Sequence, residues 1–216
     1  MSVFLNIKNA LNLLLRGEWR EFVFRFRVRL GQIDLETSYL DELNLQEERS
    51  YHYADSGGLH LEKVLKTLNI TSRDSIVDFG SGKGGALFTF SKYPFAKITG
   101  CEISHDLVAI AKKNLQVMNV KSVTFAEMDA ANFTDLDEYN YFYFFNPFPC
   151  QVMTSVVRNI VSSLSKQSRK VTIIYCNPEC HDIVVNDSPF VKTNEYFYCD
   201  LSYNIYSNMD GFNLKG

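Results

Sequence analysis

A charge excess, paired-cysteine spacing, a long apolar run and internal repeats are all missing from this 216-residue chain, and each absence removes a class of function. With 22 Lys and Arg against 25 Asp and Glu, the formal charge is −3. The whole-chain balance therefore gives no argument for nucleic acid, and no nucleic-acid partner is expected. The five cysteines are odd in number and show no CxxC spacing, which fits a reducing compartment and argues against a disulfide scaffold. Cys176, Cys180 and His181 form a loose cluster, but no second pair stands nearby and no metal is assigned. No apolar stretch approaches the length of a membrane span. Asn6, Lys8, Asn9 and Asn12 interrupt the N-terminal apolar run and no small-residue cleavage site follows, so a signal peptide is not expected. What remains is a cytoplasmic soluble protein, long enough for a full core, with one domain and an elaborated end.

What is present begins with uneven charge. Residues 1–30 carry Lys8, Arg16, Arg20, Arg25, Arg27 and Arg29 against Glu18 and Glu21, whereas residues 31–60 hold Asp34, Glu36, Asp41, Glu42, Glu47, Glu48 and Asp55 against Arg49. The two stretches can pair with each other. Residues 3–15 place Phe4, Leu5, Leu11, Leu14 and Leu15 mostly on one side of a helix, and Gly17 ends it. From Trp19 to Leu30 two periods compete: Trp19, Phe22, Val23, Phe26 and Leu30 fit a helix, while Phe24 to Leu30 alternate as a strand would. The helix is preferred. Its plainer role is packing on the domain or on a second subunit; peripheral contact with an anionic membrane is the lesser expectation. Residues 31–58 are polar and acidic, so 1–58 reads as a helical extension with a lid loop.

From residue 59 the pattern alternates. A helix with Leu61, Val64, Leu65 and Leu68 precedes strands expected at 75–78, 97–102, 123–128, 141–145 and 171–176. Helices are expected at 84–92, 105–119 with Ser104 as N-cap, and 151–164. Two closely spaced strands at 195–199 and 203–206 leave no room for a helix between them. The expected fold is α/β, with a doubly wound, mainly parallel seven-stranded sheet and a C-terminal antiparallel strand, preceded by the helical extension.

The stretch Ser75–Gly85, SIVDFGSGKGG, organises this domain. It reads as a buried strand ending in Asp78, then a glycine turn that opens a helix. Gly80, Gly82 and Gly85 satisfy GxGxxG, which would bring a pyrophosphate to a helix N-terminus. Asp78, Gly80, Gly82 and Gly84 also satisfy D-x-G-x-G-x-G. An acid at that place suits an ammonium group and would repel a diphosphate; alternatively it caps a tight turn. In doubly wound sheets ligands lie beyond the carboxyl ends of the strands, and four such ends are polar: Asp78, Glu102, Asp129 and Asn146. Glu102 can accept from both hydroxyls of a ribose, with Ile103 covering an adenine face. Asp129 can also cap a following turn.

The glycine motif and the ordered strand ends resemble class I S-adenosylmethionine-dependent methyltransferases over residues 59–216. The resemblance implies adenosylmethionine as cofactor, held by Asp78, Gly80, Ser81, Gly82 and Gly84 at one end and by Glu102, Ile103, Asp129 and Ala130 at the other. Asn146-Pro147-Phe148-Pro149 resembles the fourth motif of amino-group methyltransferases, N/D-P-P-Y/F, in which the asparagine oxygen and the proline carbonyl accept from an amine. It implies a catalytic Asn146 and acceptor contacts from Asn146, Pro147 and Phe148. The aromatic is displaced by one place, which weakens a nucleobase acceptor. A lysine side chain, or a glycan or small-molecule amine, is favoured over a hydroxyl. Tyr51, Tyr53 and Ser56 are lid candidates by the same resemblance. Of the histidines, His181 is expected nearest the pocket, and none is given a role. A nicotinamide-dependent oxidoreductase and a non-catalytic nucleotide-binding member of the fold are the alternatives.

Overall fold

The central strands are apolar on both faces. Ile76 of β1 (Ser75–Phe79) joins Tyr141 and Tyr143 of β4 (Tyr141–Phe145) in one core, while Val77, Phe79, Phe142 and Phe144 enter the other. Burial on both sides requires helices above and below the sheet. The computed structural model of the protein describes residues 15, 19–38, 50–51, 54–186 and 188–208. With β2 (Lys97–Glu102), β3 (Val123–Glu127), β5 (Thr172–Cys176), β6 (Phe190–Tyr198) and β7 (Leu201–Asn208), the seven-stranded sheet has the order β3-β2-β1-β4-β5-β7-β6. The first five strands pair in parallel, and β7 runs antiparallel to both of its neighbours. The chain winds outward from β1 to β3 and then returns to β4 on the other side of β1. The crevice above β1 and β4 is therefore the topological switch point, where ligands of such sheets bind.

The described helices of more than one turn are α1 (Trp19–Arg29), α2 (Leu59–Leu65), α3 (Gly85–Phe90), α4 (His105–Val117), α5 (Cys150–Lys166) and α6 (His181–Val185). Ser104 caps α4, its Oγ accepting from the Leu107 amide at 3.3 Å. The ambiguous Trp19–Leu30 stretch is helical because its inner face meets the domain. Phe24 is buried and stacks on Phe88 of α3 with ring centroids 4.2 Å apart. Buried Glu21 pairs with Arg25 at 2.7 Å and with Lys92, which also reaches Glu62 at 2.6 Å. Arg20 donates to Ser91 and Arg27 to the Val117 carbonyl. These arginines reach partners on α1 itself and on the domain, and Arg25 also lies beside Asp55 and Gly58 of the acidic stretch. One residue of that stretch, Asp34, pairs with Lys83 of the glycine turn at 2.8 Å, and Ile33 and Leu35 beside it are buried.

Several expectations need correcting. Helix and strand ends shift by one to a few residues; β6 begins well before the expected 195, and α6 was not anticipated. Cys150 and Cys180 form a disulfide, against the reading of the odd cysteine count. They sit just beyond the ends of the adjacent strands β4 and β5, a proximity that sequence spacing does not display. The inference of a reducing compartment loses its premise, and Cys180 is no longer a free thiol beside His181. The expected helix at 3–15 falls, apart from Leu15, outside the described residues, as does Tyr53. No helix among the described residues is long and apolar enough to cross a membrane.

Candidate active site

Two turns at the switch point form the floor of the site. After β1, the Gly80 and Ser81 amides both donate to the Cys101 carbonyl, at 2.8 and 3.1 Å, which bends the glycine turn over β2. Gly80 takes φ +74°, and a Cβ there would overlap Pro147 of the turn that follows β4. Only a residue without a side chain fits that conformation and that approach. Glu102 secures the turn from below: one carboxylate oxygen accepts from the Gly82 amide and the other from the Ser104 amide, each at 2.9 Å. Both oxygens retain capacity for a further bond.

A groove of about 410 Å³ runs along these turns, within the usual range of small-molecule sites, about 300–1,000 Å³. Gly80, Ser81, Gly82, Glu102, Asn146 and Pro147 line it, as expected. A smaller cleft continues past Glu102 and Pro147, where Ile103, Asp129 and Ala130 gather with Phe148. The two cavities share Ser50, Gly80, Glu102 and Pro147, so the expected ribose and adenine residues form one continuous wall. Asp129 does cap the turn at Ala130–Asn132, its Oδ1 accepting from the Ala131 amide at 2.9 Å.

Three positions depart from expectation. Asp78 is only 2 % exposed and lies beneath the turn, lining neither cavity. Gly84 also lines neither; it takes φ +84° at the start of α3 and packs against Ala111. Phe148 faces the small cleft and meets Phe144 edge-on, away from the wide end that holds Asn146. His181 does not line the groove either, because its ring nitrogen bonds the Tyr206 hydroxyl at 2.8 Å.

The structure adds residues that pattern reading passed over. Asp55 lies against Gly85, so closely that a Cβ on Gly85 would overlap its carboxylate. It comes from the segment 54–58, which is fixed to the domain by the Gly58 amide donating to Thr89 Oγ1 at 2.9 Å. The Tyr51 amide donates to the Pro147 carbonyl at 3.1 Å, so lid candidate Tyr51 touches the β4 turn; Tyr51 and Ser56 both line the groove. At the wide end Asn177 and Glu179 face Asn146 from the turn after β5. Asn146 and Asn177 both follow an apolar strand, both precede proline, and both take positive φ, +39° and +49°, a conformation asparagine tolerates better than most residues. Asn146 Oδ1 accepts from the Tyr175 hydroxyl at 3.1 Å. The repeated Asn-Pro after consecutive strands was the sequence signal for this second turn; Asp55, 30 positions before Gly85, left none.

Electrostatics make the groove a place for a cation. Burial pushes the Asp78 carboxyl well above the usual carboxylate range, and the nearby acids Glu102 and Asp55 push it further. Burial raises Glu102 as well, partly offset by the Ser104, Gly82 and Ile103 amides. Asp55 is exposed at the groove; the protein crowded around its carboxyl raises it, opposed by the Gly57 amide. Asp78 Oδ2 and Ser81 Oγ are buried with no hydrogen-bond partner among the described residues. Orphaned buried polar atoms and crowded carboxylates are costly unless a ligand compensates them. A cationic ligand with hydroxyls and an amino group fits this set; a diphosphate would meet three acids.

Known proteins place this arrangement. The family model described as "Methyltransferase domain" matches residues 70–207. Among solved structures, an RNA methyltransferase from Salinibacter ruber in complex with S-adenosyl-L-homocysteine aligns over 70 % of this chain and 92 % of its own, at 17 % identity and TM-score 0.53. The putative methyltransferase yhhF from Escherichia coli aligns over 71 % and 88 %, at 16 % identity and TM-score 0.55. The ribosomal protein L11 methylase of Lactobacillus delbrueckii subsp. bulgaricus aligns over 70 % and 80 %, at 11 % identity and TM-score 0.54. At such identities the likeness is one of fold. No curated protein sequence matches the chain. With a family model covering well over half of it, this chain belongs to the methyltransferase domain family.

Proposed function

We propose that the protein transfers a methyl group from S-adenosylmethionine to an amine. The observation that carries the acceptor assignment is the charge of the groove: Asp55, Glu102 and Glu179 line it, and no Lys, Arg or His does so among the described residues. Such a wall attracts a cationic acceptor and repels an anionic one; the bound ammonium gives up one proton to water, so that the nitrogen meets the methyl group with a free lone pair. When bound, the cofactor supplies a methyl group activated on a sulfonium, which leaves little covalent chemistry to the protein.

The chain's own residues bind and orient. Glu102 holds the ribose; Ile103, Asp129 and Ala130 form the adenine cleft, with Phe148 at its base; and Asp55, Ser81 and the glycine turn face the amino-acid end. Asp78 acts from below: its carboxyl, disposed by burial to keep its proton, ionises as a cation settles above the turn. Asn146 is held in its strained backbone conformation, its side chain fixed by Tyr175, so its oxygen is preorganised to accept from the acceptor nitrogen. The Pro147 carbonyl has one lone pair engaged by Tyr51 and a second free to join it. Orientation of this kind accounts for most of the rate enhancement such a transfer needs. The net charge gave no ground for excluding nucleic acid, and with an RNA methyltransferase among proteins of this fold that exclusion is dropped; the amine assignment rests on the groove alone.

The test is transfer of labelled methyl from adenosylmethionine to a panel holding a polyamine, a lysine-rich peptide, an amino sugar, RNA and simple alcohols. Label in an amine supports the reading, and label confined to a hydroxyl would refute it. With the labelled acceptor, Asn146→Ala is expected to lower kcat by about 100-fold while changing affinity for S-adenosylhomocysteine by less than about threefold. Unchanged turnover would reduce Asn146 to a connector.

A further inference from the structure

Helix α1 has a second apolar face. Its inner side, Phe24 with Glu21, is committed to the domain. On the outer side Trp19 and Phe26, with Leu30 just past the helix end, are 62, 48 and 55 % exposed, and Phe22, half-buried, lies parallel to Phe26 with centroids 6.2 Å apart. The positions 19, 22, 26 and 30 step by three, four and four, which keeps them on one stripe. Large exposed side chains scattered singly need no explanation, but a contiguous row of this size does.

We propose that this stripe docks the protein on an anionic lipid surface. Charge is the first argument. Residues 1–30 hold six Lys and Arg against two Glu, although the whole chain is net acidic at −3. Arg20 and Arg27 are held by neutral oxygens, those of Ser91 and the Val117 carbonyl, so their charge stays uncancelled by those contacts beside the apolar row. Trp, Phe and Leu flanked by Arg is the composition of helices that lie in the headgroup region. Size is the second argument. A stable homodimer needs about 800 Å² and 20–30 residues from each partner, and a row of four side chains falls well short of that. A twofold contact through the stripe would also bring two arginine-rich helices together. The loop after α1 latches onto the glycine turn through Asp34 and Lys83, so a docked α1 would hold the methyltransferase site at a fixed height above the lipid.

Trp19 is the chain's single tryptophan, so fluorescence excited at the red edge, where tyrosine does not absorb, reports this surface alone. The full chain is titrated with vesicles of phosphatidylcholine, with and without phosphatidylglycerol, and sedimented with them. The expected result is a blue shift and co-sedimentation with the anionic vesicles, weakened by salt. Phe26→Asp combined with Leu30→Asp should lower partitioning on the order of tenfold or more. Both side chains point away from the core, so circular dichroism and S-adenosylhomocysteine affinity should stay unchanged. No shift and no co-sedimentation with anionic vesicles would overturn the proposal. So would a concentration-dependent dimer that already shields Trp19 without lipid. Neither outcome depends on the identity of the methyl acceptor.

Discussion

Gly85 illustrates how a single hydrogen atom in place of a side chain shapes this site. In the sequence it completes a glycine spacing; in the structure it makes room for Asp55, whose carboxylate occupies the space a Cβ would fill. Gly85→Ala should therefore push the 54–58 segment off the turn. We expect roughly tenfold weaker binding of S-adenosylhomocysteine by calorimetry and a loss of about 1–3 kcal/mol of stability, the usual cost of overpacking. The carboxylates around it give a pH signature. Asp55, Asp78 and Glu102 all hold protons to higher pH than ordinary carboxyls, and a cationic cofactor favours their ionised forms. Cofactor affinity should then rise with pH through the raised range and fall as pH drops through it, with protons released on binding. Calorimetry in two buffers of different ionisation enthalpy measures that release; none, or net uptake, would contradict the assigned cluster. The sign for the unliganded protein is opposite. Carboxyls with raised folded values stabilise the fold where they are protonated, so their contribution declines as pH climbs from the ordinary carboxylate range through the raised one.

Individual elements were legible where local pattern and tertiary role coincide. Tyr141–Phe145 forms as expected because an unbroken apolar run followed by the polar Asn146 describes a strand buried on both faces and open at its carboxyl end. The α1 stretch was ambiguous for a physical reason: with one face on the domain and another bare, its apolar residues cover most of the helix and weaken any single period. What stayed hidden was contact across distance, namely Asp55 on Gly85, Tyr51 on Pro147 and the Cys150–Cys180 bond. Helix α1 also allows a paired test. Phe24→Ala removes a buried ring stacked on Phe88 and should cost about 3–5 kcal/mol in urea unfolding, whereas the exposed Phe26→Ala should cost within about 0.5 kcal/mol. Equal small losses would mean that α1 contributes little to the fold.

At the scale of the molecule, the sheet sets two adjacent turns, after β4 and after β5, against the glycine turn of β1, and the disulfide ties the first two together. The acceptor end of the groove is thus built from neighbours locked in register, while the segment before α2 arrives from outside the sheet. That segment has a kinetic corollary. Tyr51 is bonded to the β4 turn on one bank of the groove, while Asp55 and Gly58 are held against α3 on the other, so both banks are gripped by residues close together in the chain. Release of spent cofactor past these anchors is expected to be slower than bond exchange and to limit each cycle. Rapid-quench assays should then record a burst of one methylated product per chain followed by a slower steady rate. A linear course from the first turnover would mean that these contacts part faster than the methyl moves.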